Sequence, residues 1–131
     1  GNFALSLMVE PSMMAPVLSQ PSLPLPVGNR RRGALHLSPA DLATAKERTR
    51  QGVRILGLRF DTDPACPGAR FARLREEFGA GFEAIEIPGH FAATKMRHSV
   101  LTNDLVDEVG HPTVAARDRV LTFLAAQLKP A

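Results

Sequence analysis

Val53-Arg54-Ile55-Leu56-Gly57-Leu58-Arg59-Phe60 is a mostly apolar run, and Asp61-Thr62-Asp63-Pro64 closes it with turn residues. A run of this kind reads as a strand buried on both faces, as in a parallel sheet. Downstream, Phe82-Glu83-Ala84-Ile85-Glu86-Ile87 alternates apolar and polar and reads as the next strand. Upstream, Met14-Ala15-Pro16-Val17-Leu18-Ser19 reads as a short buried strand entered through a proline.

Helical patterns fill the intervals. Ser38 is a cap residue, Pro39 suits the first helical position, and Asp41 places negative charge in the first turn, so a helix is expected from there to near Gly52. Phe71, Leu74 and Phe78 share a helical face that Gly79 and Gly81 terminate. His111-Pro112-Thr113 opens a terminal helix in which Val120, Leu121, Leu124 and Leu128 are expected on one face, with Pro130 just beyond it. With the apolar run Phe3 to Val9 as a first helix, helices and strands alternate, which predicts an α/β fold: about three parallel strands with flanking helices. Six of the 11 prolines (Pro11, Pro16, Pro21, Pro24, Pro26 and Pro39) exclude a long helix between residues 11 and 39, and 20–37 is expected to be irregular and rich in Pro and Arg.

The 131 residues, 44% of them hydrophobic and 22% charged, have the size of one domain able to bury its own core. One cysteine excludes an internal disulfide, and 16 Lys+Arg against 13 Asp+Glu leave a net charge of +3, too small to argue for nucleic acid or an anionic membrane. No apolar run is long enough to span a bilayer. The start at Gly1, without a basic leader or a cleavage-type segment, is read as truncated, and a cytoplasmic location is expected. A sheet of three strands has two open edges, so the chain is expected to meet a missing N-terminal half or a second copy there. No phosphate-binding glycine motif, C-x-x-C or repeat is present, and neither cofactor nor metal is expected.

Ligands of open α/β sheets bind beyond the carboxyl ends of strands. That rule selects Asp61-Thr62-Asp63 and the loop from Pro88 to Thr102, which holds His90 and His98. A carboxylate and an imidazole on neighbouring strand ends can hydrogen-bond, which sets the tautomer and stabilises the imidazolium.

Leu56-Gly57-Leu58-Arg59-Phe60 with Asp63-Pro64-Ala65-Cys66-Pro67, then Phe82 to Ile87, then His98-Ser99-Val100-Leu101-Thr102, resembles the second half of dienelactone hydrolase-type α/β-hydrolases. Ala15 to Pro24 resembles the strand and loop after that family's nucleophile helix. The resemblance implies hydrolysis of a small ester or lactone, with Asp63 as the acid and His98 as the base of a triad. The family's order is nucleophile, acid, histidine, so the nucleophilic Cys or Ser would lie just before Phe3, with Gly1 as the tail of its elbow. On this reading the chain alone is expected to be inactive.

Other candidates have competing explanations. Asp63 could form only an Asx turn before Pro64; Asp61 could take its role, and His90 that of His98. Cys66, the lone thiol, shares a short loop with the presumed acid, on the wrong side of the histidine for a nucleophile. Arg30-Arg31-Arg32 reads as a solvated turn, Pro21-Ser22-Leu23-Pro24 as turn chemistry, and the four methionines as core packing. The alternative function is a non-catalytic α/β module that pairs through its open sheet edge.

Overall fold

The computed structural model describes residues 1–129. Three parallel strands, β1 (Val17–Ser19), β2 (Ile55–Phe60) and β3 (Phe82–Ile87), form one sheet in that spatial order. Leu18 lies beside Gly57, which in turn lies beside Ala84. The strand read at residues 53 to 60 is therefore the central one, and all six of its residues are buried.

Burial on both faces follows from where the helices pack. On one face Ile55, Leu18 and Phe82 meet Leu5 of α1 (Asn2–Ser6), Met8 of the 3₁₀ turn after it, Ala45 of α3 (Pro39–Arg50), and Phe71, Leu74 and Phe78 of α4 (Gly68–Phe78). On the other face Leu56, Leu58, Phe60 and Ile87 meet Val100 and the Ala116, Val120 and Phe123 side chains of α5 (Pro112–Gln127). Each fully buried large apolar side chain contributes about 1.5–3 kcal/mol, so these two layers supply most of the folding drive.

The helix starts follow their caps. Ser38 Oγ accepts from the Asp41 N–H at 3.1 Å, with Pro39 in the first turn. His111 Nδ1 accepts from the Thr113 N–H at 3.2 Å, and Pro112 follows it directly. Pro130, expected beyond α5, lies outside the described residues.

Three expectations need correction. The buried face of α5 is Thr113, Ala116, Val120 and Phe123, whereas Leu121 and Leu128 are exposed. Val120 and Leu124 of the expected stripe do pack against the core, but between them Phe123, and not Leu121, fills the layer under β2. Met14 and Met96 are exposed, and only Met8 is fully buried, with Met13 packed partly against the core. The segment 20–37 is not wholly irregular, since Asn29–Arg32 makes one helical turn, α2, carrying the three arginines.

That segment is tied down by a side chain of α4. The buried Arg70 guanidinium donates to four backbone carbonyls: Pro21 at 2.9 Å, Pro24 at 2.5 Å, Arg31 at 3.0 Å and Ala34 at 3.0 Å. A proline-rich stretch forms few backbone ladders, so its carbonyls need donors from elsewhere, and a guanidinium supplies five N–H groups in one plane. The Asn2 amide adds a two-point contact, donating to Leu23 O at 2.6 Å and accepting from the Leu23 N–H at 2.8 Å.

Among the described residues no helix is long and apolar enough to cross a membrane.

The tightest point of the sheet is Gly57, where an added Cβ would lie 2.7 Å from Phe82 Cε2 and 3.0 Å from Phe71 Cζ. Those rings pack edge to face with centroids 5.5 Å apart, and both are buried. Gly57→Ala is expected to lower stability by about 1–3 kcal/mol, measured as a lower urea midpoint at unchanged slope; an unchanged midpoint would show that the rings can yield.

Candidate functional site

The carboxyl ends of β2 and β3 carry the two segments selected from sequence. After Phe60 the chain turns at once, with the Asp63 N–H donating back to Phe60 O at 3.2 Å. Arg59, the single charge in β2, braces this turn: its Nε donates to Cys66 O at 2.8 Å and its Nη2 to Asp61 O at 2.9 Å. Its remaining nitrogen pairs with Glu86 on β3, which also pairs with Arg75 on α4. Burial pushes the Glu86 carboxyl up, but the two guanidinium partners, Arg75 and Arg59, more than offset this and hold it below the usual carboxylate range.

Asp63 is buried, and its two carboxylate oxygens have different tasks. Oδ1 accepts from the Ala65 N–H at 2.9 Å and the Cys66 N–H at 3.3 Å, which is the Asx turn before Pro64. Oδ2 lies 2.6 Å from Nδ1 of His98, 35 residues away in the chain. One side chain thus makes both the Asx turn and the contact with His98. An ionised carboxylate only accepts, so the shared proton sits on Nδ1 and the Nε2 of a neutral His98 ring is left with its lone pair. The His98 side chain is 30% exposed whereas that of Asp63 is 1% exposed, so the acid is shielded and the imidazole is accessible.

The competitors have other occupations. Asp61 Oδ1 accepts from the Gly89 N–H at 2.8 Å, which joins the exit of β2 to that of β3. His90 is exposed and stacks on Phe91 with ring centroids 4.1 Å apart; among the described residues it has no acidic hydrogen-bond partner. Cys66 is fully buried, and desolvation pushes its thiol up to about 12 despite the nearby Arg59. Such a thiol is a poor nucleophile.

Arg59 was not singled out from sequence, although a lone arginine in an otherwise apolar strand is a visible signal that its charge is bound by neighbours. Among the described residues no three His, Cys, Asp or Glu side chains gather as a metal site. The arrangement can therefore take up a proton at an accessible imidazole and stabilise the resulting cation with a buried carboxylate.

No family model, curated protein or solved structure matches the chain.

The state of Cys66 is open to direct measurement. Iodoacetamide labelling at pH 8 is expected to be slowed by roughly 10³-fold or more relative to a free cysteine, and to recover in urea. Rapid labelling of the native protein would mean that the Asp63 turn opens readily.

Proposed function

We propose that this chain carries the acid and the base of a dienelactone hydrolase-type enzyme acting on a small-molecule ester or lactone. The observation that supports this reading is the 2.6 Å contact between His98 Nδ1 and Asp63 Oδ2. In the proposed reaction His98 Nε2 takes the proton of a hydroxyl or thiol nucleophile. The nucleophile attacks the carbonyl carbon, the C–O bond to the leaving group breaks, and Nε2 returns the proton to the departing alkoxide. Water, deprotonated in turn at Nε2, then hydrolyses the acyl-enzyme and releases the acid. Asp63 holds the ring in the tautomer that leaves Nε2 basic and stabilises the imidazolium, and neither metal nor organic cofactor enters this scheme.

Cys66 is not the nucleophile in this reading, since it is buried with its proton held tightly. A cytoplasmic location belongs to the same proposal.

The test is p-nitrophenyl acetate hydrolysis by this chain and by the polypeptide translated with its in-frame upstream residues. The chain alone is expected to match buffer. The longer polypeptide is expected to turn over, losing about 10⁴–10⁶-fold in kcat with His98→Ala and about 10⁴-fold with Asp63→Asn. Turnover by the longer polypeptide that survives His98→Ala overturns the reading, as does turnover by the chain alone.

A second reading, a non-catalytic module, is favoured by a different observation. β1 pairs on one side only, and Phe3, Leu7 and Met14 are 77%, 47% and 47% exposed. Apolar surface beside an open strand edge favours association with another chain. Light scattering over a concentration series is expected to show a discrete dimer under this reading, and a monomer throughout removes it.

A further inference from the structure

His98 sits on a segment with no regular secondary structure between Phe91 and α5, yet its imidazole meets Asp63 at hydrogen-bond distance. Some other contact has to hold the backbone there, because ring position follows from the direction of the Cα–Cβ bond. Asp104, itself 1% exposed, lies under this loop and accepts four hydrogen bonds. Its Oδ1 takes the Thr94 N–H at 2.8 Å and the Thr94 hydroxyl at 2.6 Å. Its Oδ2 takes the His98 N–H at 2.8 Å and the Ser99 N–H at 3.0 Å. The backbone of Asp104 closes the same loop, its N–H donating to Ser99 O at 3.0 Å and its carbonyl accepting from the Ala93 N–H at 3.3 Å. Val100, fully buried beneath β2, anchors the following residue to the core.

Arg97 supplies an independent sign that this geometry is imposed. Its φ is +49°, a left-handed conformation that a residue with a Cβ adopts only when its surroundings enforce it. Thr94 on one side of Arg97, and His98 and Ser99 on the other, are gathered onto one carboxylate.

We propose that Asp104 is a positioning residue for His98: by binding the N–H groups of His98 and Ser99 on one oxygen and Thr94 on the other, it sets the loop turn that delivers the imidazole to Asp63. The inference rests on the reading of His98 as the base. Two oxygens with two donors each match a carboxylate; an alanine in its place would leave the His98 and Ser99 N–H groups without this acceptor. Burial pushes the Asp104 carboxyl up, but the bonds from Thr94, His98 and Ser99 outweigh it and hold the group ionised below the ordinary aspartate range.

The experiment uses the ¹⁵N-labelled chain and reads the His98 ring tautomer from long-range ¹H–¹⁵N correlations. Wild type is expected to show the Nδ1–H tautomer, and Asp63→Asn to lose it. Asp104→Ala is expected to lose it as well, with the His36 and His111 ring signals unmoved, whereas Thr94→Val, which leaves the Oδ2 contacts intact, is expected to retain it. A wild-type ring without the Nδ1–H signature, or one that survives Asp63→Asn, defeats the reading of the pair itself. A signature lost in Asp63→Asn but kept in Asp104→Ala overturns only the role of Asp104. Should Asp104→Ala fail to fold, amide exchange in wild type decides: protection of the His98 and Ser99 N–H groups supports the clamp, and exchange as fast as that of an open loop overturns it.

Discussion

A strand buried on both faces has to send its side chains into two separate apolar layers and its backbone polar groups into strands on either side. β2 meets both demands: Ile55 and Gly57 face the layer of α1, α3 and α4, Leu56, Leu58 and Phe60 face α5, and β1 and β3 take its hydrogen bonds. Gly57 lets Phe71 and Phe82 approach the strand directly. Once β2 is placed, the exits of all three strands lie at one end of the sheet, because parallel strands share a direction. The site residues are assembled at that end.

Two buried guanidinium groups organise the loops there. Arg59 holds carbonyls of the Asp61 to Cys66 turn, and Arg70 holds carbonyls of the proline-rich segment. Taking an arginine out of water is costly unless its donors are satisfied, and here backbone acceptors do much of that. Arg59 has in addition Glu86 and a position 5.7 Å from the centroid of the Phe71 ring. The consequence is specificity of loop conformation: a loop that moved away would strand a buried charge.

Asp63 and His98 come from the two sides of this arrangement. Asp63 is held by a turn of only a few residues that follows directly from β2, whereas His98 lies on a long loop in which Asp104 bonds to Thr94, His98 and Ser99 and Val100 is buried. In the proposed reaction the buried carboxylate and the accessible imidazole divide the work of a general base: one sets the tautomer and stabilises the cation, and the other exchanges protons. In the hydrolase reading this asymmetry suits a base that must reach a substrate.

Much of the frame was legible in the residues themselves. The buried strand, its two parallel neighbours, the caps at Ser38 and His111 and the Phe71-Leu74-Phe78 stripe are all local patterns, and hydrophobic periodicity and capping act within a few residues of chain. The rule that ligands gather beyond strand ends was enough to select Asp63 and His98 together with their competitors. What the linear order could not decide was which histidine meets which aspartate. His90 and His98 share one loop, and Asp61 and Asp63 share one turn; the choice was made by the bond from Gly89 to Asp61 and by the Asp104 clamp, contacts between residues far apart in the chain. The stripe of α5 moved for a similar reason, since the space under β2 admits Phe123 and leaves Leu121 outside. Sequence alone determined the strands, the helices and the end of the sheet where chemistry could sit, because those follow from local periodicity; tertiary packing alone decided the pairing of acid and base, because that depends on long-range contacts of buried polar groups that no local pattern encodes.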